Sequence, residues 1–225
     1  MLLNTKRKPV KLIETIFDLL YLSTVLISGV LLCLGAQVGS TRWQFGLMAL
    51  ILGLGDAFHL VPRLYAMWDR KPSGHTAMLG IGKLVASLTM TVFYVILWNL
   101  GTAHYGSLLP PYMTPVVFAL AALRIALCLF PQNRWMSKAQ PRKWAIWRNI
   151  PFFILGMLVM ALFAAGSFAG DNKFSYLWLA VLISFACYLP VVLFSGQNPK
   201  IGMLMLPKSC AYAAIVLIGF SLPVI

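Results

Sequence analysis

The chain has 225 residues, of which 60% are hydrophobic and only 10% charged, with a formal net charge of +13. A soluble domain carries charge on roughly a quarter of its residues, so this composition excludes an ordinary water-soluble globule. The basic excess would suggest nucleic acid in a soluble protein. Here the lysines and arginines sit in short connections between apolar blocks, which argues against a nucleic-acid partner and for a membrane.

Seven apolar blocks follow one another, at about 11–35, 43–67, 76–100, 113–131, 149–169, 174–195 and 203–223, and a crossing of the bilayer needs ~20 such residues. The leading stretch Lys6-Arg7-Lys8-Pro9-Val10-Lys11 is like the start of a signal peptide. Glu14 and Asp18 in the segment behind it, and the lack of a small-residue cleavage site, instead read it as a retained first helix. Turn chemistry separates the blocks: Gly39-Ser40-Thr41, Lys71-Pro72-Ser73-Gly74, Pro110-Pro111, Pro131-Gln132-Asn133, Gly170-Asp171-Asn172 and Gln197-Asn198-Pro199. The fourth block is the shortest, and no internal repeat is visible. Cys33, Cys128, Cys187 and Cys210 lie in or beside apolar blocks without metal or redox spacing, and read as small buried hydrophobes. The expected fold is therefore all-α: a polytopic membrane helical bundle of about seven transmembrane helices, one integral domain over 1–225.

Basic residues set the orientation. Of the 18 lysines and arginines, Lys83 and Arg124 fall inside blocks and only Arg42 and Lys173 lie beside the odd-numbered connections. The rest cluster at the N-terminus (Lys6, Arg7, Lys8, Lys11), around the second-to-third connection (Arg63, Arg70, Lys71), in the fourth-to-fifth (Arg134, Lys138, Arg142, Lys143, Arg148) and at the sixth-to-seventh (Lys200, Lys208). The positive-inside rule then predicts a cytoplasmic N-terminus, an external C-terminus and an odd number of spans. Compact size and the absence of a cleavable leader point to the cell membrane of a bacterium, its inner membrane.

Only five acidic residues exist, and Glu14, Asp18 and Asp56 lie inside predicted spans, as do Lys83 and Arg124. An ionised group in hydrocarbon costs ~3 kcal/mol or more on insertion scales, so such residues face the bundle interior and pair. Their depths agree. Glu14 and Asp18 lie in the cytoplasmic half of the first helix, and Asp56, His59 and Arg63 in that of the second. Lys83 lies about 10 Å from the inner end of the third at ~1.5 Å per residue, with Arg124 at similar depth on the fourth. Helical spacing puts Asp56, His59 and Arg63 on one stripe; Glu14, Asp18 and Tyr21 on another; and Lys83, Ser87 and Tyr94 on a third. Ser184 aligns with Tyr188, and Lys208 with Tyr212. Pro62 removes an amide donor and frees the carbonyl of Phe58, which is then available to a ligand. The pattern predicts one polar cavity opening to the cytoplasm.

Plainer readings stand beside this one. Glu14 can pair with Lys11 or snorkel, Arg63 can anchor at the interface, and Lys208 reads more readily as an anchor than as a site residue. Tyr21, Tyr94 and Tyr188 can be packing aromatics. Asp56, His59, Lys83 and Arg124 can form a purely structural ion network. His75 and His104 read as solvated bystanders.

A metal would need three or four ligands. Asp56 and His59 supply two and Asp18 or Glu14 a third, but only one histidine is intramembrane and Lys83 and Arg124 would repel a cation. No metal or cofactor is expected. A carboxylate and a histidine in a dry pocket can instead do acid–base work, while Arg63, Lys83 and Arg124 hold an anionic group such as phosphate. No nucleophile-elbow, zinc-protease or phosphate-loop motif is present.

The string Leu52-Gly53-Leu54-Gly55-Asp56-Ala57-Phe58-His59-Leu60 resembles the Gly-Asp segment of the YhhN-type lysoplasmalogenase family, multi-helix membrane hydrolases that cleave the vinyl-ether bond of lysoplasmalogens. Leu206-Pro207-Lys208-Ser209-Cys210-Ala211-Tyr212-Ala213-Ala214 is similar to that family's closing helix. The resemblance implies that Asp56 is a catalytic acid or base. The chain departs from the family in span number, seven against the usual eight. It also lacks an acid on the sixth helix, where Ser184, Cys187 and Tyr188 stand, so the second carboxylate would fall to Asp18.

These readings converge on a membrane protein that takes an amphiphilic, phosphate-bearing small molecule from the cytoplasmic side, with membrane lipid as its surroundings and source. Asp56, His59 and Asp18 are the expected catalytic residues. Lys83, Arg124, Arg63, Glu14 and Tyr188 are the expected substrate-binding ones. A hydrolase of lysophospholipid or ether lipid competes with a small-molecule or proton-coupled transporter, and with a non-catalytic membrane partner.

Overall fold

The computed structural model describes residues 7–69, 72–170, 173–194 and 197–224. Lys6, Arg70, Lys71, Asp171 and Asn172, which enter the orientation and turn assignments above, lie outside the described residues. Among the described residues there is no strand. Seven α-helices run in order: α1 (Arg7–Leu34), α2 (Thr41–Trp68), α3 (Thr76–Tyr105), α4 (Met113–Leu129), α5 (Arg142–Phe168), α6 (Leu177–Phe194) and α7 (Met205–Ile218). Among the described residues six segments, all but α4, are long and apolar enough to cross a membrane, as in a multi-pass integral membrane protein. Helix α4 has 17 residues, about 25 Å at 1.5 Å per residue, against a hydrocarbon core of about 30 Å.

Helix and apolar block do not coincide everywhere. Helix α5 begins at Arg142 rather than near 149, so its first two turns are helical but basic; α3 continues past residue 100 to Tyr105. Local chemistry fixes the ends. The Ser40 hydroxyl accepts from the Trp43 amide at the start of α2 (3.3 Å). At the end of α4, the Asn133 amide donates to the carbonyls of Leu127 (2.6 Å), Cys128 (3.3 Å) and Phe130 (2.9 Å). Trp135 Nε1 also donates to Cys128 (2.8 Å). These bonds satisfy carbonyls that would otherwise be orphaned at a helix end inside a bilayer.

Helices α1, α2, α3, α5, α6 and α7 close a ring, α7 returning to α1, and α4 packs into the groove between α3 and α5. The connections alternate between two ends. At one end Lys11 Nζ donates to the Met67 carbonyl (2.7 Å) and Gly80 presses on the carbonyl of Trp135, where no side chain would fit. At the other, the Gln37 amide donates to Val224 (3.4 Å) and Arg42 to the Leu222 carbonyl (3.2 Å). There Phe174 stacks on Phe45 (5.9 Å) and meets His104 edge-on (5.1 Å). Lys11, Arg63, Arg134, Lys138, Arg142, Lys143, Arg148 and Lys200 are at the first, basic end, and Arg42 and Lys173 at the second.

Helices α2 and α3 pack closely at Gly82. A Cβ there would collide with the carbonyl oxygen of Phe58. The carbonyl freed by Pro62 is thus covered by α3 rather than offered to a ligand, because a glycine lets the neighbouring backbone close over it. Toward the second end the ring is filled by Phe45, Trp98, Phe163 and Phe174, each no more than 1% exposed.

Candidate functional site

Within the ring, in its basic half, lies a cavity of about 550 Å³. Asp56 and His59 face it from α2, Lys83, Ser87 and Met90 from α3, Arg124 from α4, Arg148, Asn149 and Phe152 from α5, Tyr188 from α6 and Lys208 from α7. It opens between the α4–α5 connection (Trp135, Gln140) with Arg142, and the α6–α7 connection (Gln197) with Met205. Lys83 stands exposed at its mouth, whereas Arg124 is 2% and Lys208 7% exposed.

Each side chain is held by its helix and a neighbour. Asp56 and His59, three residues apart, share a face of α2. The Tyr21 hydroxyl of α1 donates to Asp56 Oδ2 (2.6 Å), and Lys208 is the cation that acts on the same carboxylate. The Lys208 ammonium lies 5.2 and 4.9 Å from the ring centroids of Tyr188 and Tyr212, within cation–π range. His59 Nδ1 is buried and has no hydrogen-bond partner among the described residues. Arg148 lies 4.1 Å from the Trp135 ring centroid and donates to Asn133 Oδ1 (2.9 Å). Asn149 accepts from the Tyr188 hydroxyl (2.8 Å). The hydroxyls of Tyr94 and Tyr212, 3.4 Å apart, mark where the cavity gives way to the aromatic core.

Arg124 differs from the other cations. Its guanidinium lies 3.2 Å from the Phe152 ring centroid, and Nε and Nη1 are buried with no hydrogen-bond partner among the described residues. Buried guanidinium nitrogens without hydrogen bonds are costly in the membrane interior. Its planar fork suits a carboxylate or phosphate approaching through the cavity. Lys83, Arg142, Arg148 and Lys208 share the wall with it, against the single carboxylate Asp56. This electrostatic balance accommodates an anion, and Met90, Phe152, Val191, Val192 and Met205 give the same cavity an apolar side.

Of the residues expected from sequence, Asp56, His59, Lys83, Arg124 and Tyr188 come together around this cavity. Asp18 does not line it. It lies behind Asp56, 3% exposed, within electrostatic range of that carboxylate, with one oxygen unpartnered. Glu14 and Arg63 form an ion pair with each other and stay off the cavity wall. They sit one to two turns nearer the basic end than Asp18 and Asp56, where α1 and α2 face each other and not the ring interior. His75 pairs with Asp69 (2.5 Å) and His104 engages the Leu100 carbonyl (3.0 Å), so both are half-buried and partnered rather than solvated. Among the described residues no three His, Cys, Asp or Glu side chains gather as a ligand set. Sequence reasoning missed Lys208, Arg142, Arg148 and Asn149. The first three look like interfacial anchors, and the one available signal was the alignment of Lys208 with Tyr212 on one helical face.

Searches against family models, curated proteins and solved structures return no match for this chain.

Proposed function

We propose that this membrane protein binds the anionic head of a lipid-derived amphiphile in its basic cavity and hydrolyses it there, with Asp56 as acid/base and His59 as its partner. The observation that carries the reading is Arg124: a buried guanidinium whose Nε and Nη1 have no hydrogen-bond partner among the described residues, beside a cavity whose wall holds four further cations. A bound phosphate or carboxylate supplies the missing hydrogen bonds, and the apolar wall receives the chain attached to it.

Hydrolysis divides a water molecule between two fragments, and one group must hold a proton in between. Asp56 is suited to that task. Tyr21 fixes one of its oxygens, and the carboxylate stands on the same wall as the cations that hold the substrate. The likeness of residues 52–60 to the lysoplasmalogenases makes lysophospholipids and ether lipids the first substrates to test. The packed aromatic half formed by Phe45, Trp98, Phe163 and Phe174 supports an enzyme over a carrier. By the charge asymmetry, the open end faces the cytoplasm, in a bacterial inner membrane.

The test is turnover of a lysophospholipid and ether-lipid panel by purified protein in detergent, read by mass spectrometry. Asp56→Asn should lower product formation by about a hundred-fold or more, the usual contribution of a positioned acid or base, while the lipid still binds. A panel left intact by the wild type would remove the hydrolase and leave the anion site to a carrier, tested next in sealed vesicles.

A further inference from the structure

A second concavity lies beside the first, on the surface of the basic end. It is lined by Gln132, Arg134, Pro141, Arg142, Lys143 and Trp144 and measures about 450 Å³. Arg134, Arg142 and Lys143 are all exposed, and no acidic residue lines the groove. Arg134 is the one non-glycine residue with positive φ among the described residues (φ 48°), held in the left-handed region at the end of the Pro131–Asn133 turn. That conformation turns the chain back toward the head of α5, where Arg142 and Lys143 begin the helix.

The surroundings are apolar. Leu129, Phe130, Met136 and Trp147 are each at least 44% exposed, and Phe130 packs against Trp144 (5.8 Å between centroids). Basic side chains among exposed tryptophan and aliphatic surface mark the depth at which lipid headgroups meet hydrocarbon. One feature distinguishes this patch from the general basic character of the end. Arg142 belongs to both concavities, so the groove and the intramembrane cavity share a wall.

We propose that this groove is a docking site for the phosphate of an anionic phospholipid, and that Arg142 is the passage between it and the cavity. The headgroup is held by Arg134, Arg142 and Lys143, and its chains lie along Phe130, Trp144 and Trp147. Moving inward past Arg142, a phosphate next meets Arg148 and Lys83 and ends at Arg124, so positive charge continues along the route. Docking stands on the groove alone. Only the onward passage rests on the cavity being a lipid site.

The experiment is native mass spectrometry of the full chain released from mixed micelles of phosphatidylglycerol and phosphatidylcholine. The wild type should retain phosphatidylglycerol preferentially. Each basic residue near an anionic surface contributes roughly a five-fold factor, so R134Q, R142Q and K143Q should each weaken that preference by about as much. Arg142→Lys, which keeps the charge, should not. These positions are solvent-exposed, so folding is expected to survive. R124Q reports on the inner cavity separately: it should leave phosphatidylglycerol retention at the groove intact even if the protein turns over no lipid. Equal retention of both lipids by the wild type would overturn the proposal. So would an unchanged preference in the R134Q/R142Q/K143Q triple variant, or displacement of the lipid by millimolar inorganic phosphate alone.

Discussion

Between the α1–α2 turn and the middle of the bundle, Phe45, Trp98, Phe163 and Phe174 fill the ring, none more than 1% exposed. Between the middle and the α4–α5 connection, the same ring surrounds Asp56, His59, Arg124, Asn149 and Lys208. Inside a bilayer the two arrangements have different costs. Helix association there comes from close packing and interhelical hydrogen bonds, since lipid chains are as apolar as the core. The aromatic half supplies that packing. The polar half forgoes part of it and places charges where each must find a partner. The contrast separates the half that packs the bundle from the half that holds the proposed site.

The sharpest way to break that separation is in the aromatic half. Phe163 is fully buried, edge-on to Tyr105 (5.9 Å) and Phe174 (5.6 Å). Phe163→Ala should cost about 3–5 kcal/mol, the range for emptying an aromatic site in a packed core, read by unfolding in mixed micelles. Binding of an anionic lipid to the cavity should persist below the lowered transition. Binding that falls in step with stability would show that the halves are one cooperative unit.

Arg124→Gln is the complementary change, smaller in energy and opposite in character. Removing a hydrogen bond to a charged group costs about 1.5–3 kcal/mol, so affinity for a phosphate-bearing lysolipid should fall about ten- to a hundred-fold by titration calorimetry. Stability should hold or rise, because the substitution removes a buried charge that no carboxylate pairs among the described residues. A loss of stability approaching that expected for breaking a buried ion pair, about 3–5 kcal/mol, would place Arg124 in the scaffold instead.

How much of this was legible beforehand follows the same division. The seven helices were readable because each is built on an apolar block, and six of them, among the described residues, are long enough to cross a bilayer. Asp56, Lys83 and Arg124 were readable because a charge inside such a block has no ordinary explanation. Lys208, Arg142 and Arg148 were not, because each lies where a block meets a basic connection and a lysine or arginine there is what any membrane protein carries. Only the extra helical turns at the head of α5, which are basic and invisible to hydropathy, bring Arg142 and Arg148 to the cavity. The ring order was also hidden. Placing α4 outside, against α3 and α5, depends on packing between segments far apart in sequence, and α2 and α3 come close where Gly82 meets the Phe58 carbonyl and Gly55 meets Thr89.

The least costly test concerns the border of the polar half. Glu14 and Asp18 lie one turn apart on α1, yet Asp18 is buried behind Asp56, and Glu14 pairs with Arg63 where the side chains keep 24% and 36% of their exposure. A pair in that setting contributes about 0.2–1 kcal/mol. Glu14→Gln should therefore shift the unfolding midpoint only slightly and leave lipid turnover and anion affinity at the wild-type level. A turnover loss comparable to that of Asp56→Asn would mean that the carboxylates of α1 act together, and that the site begins at the rim rather than at the cavity wall.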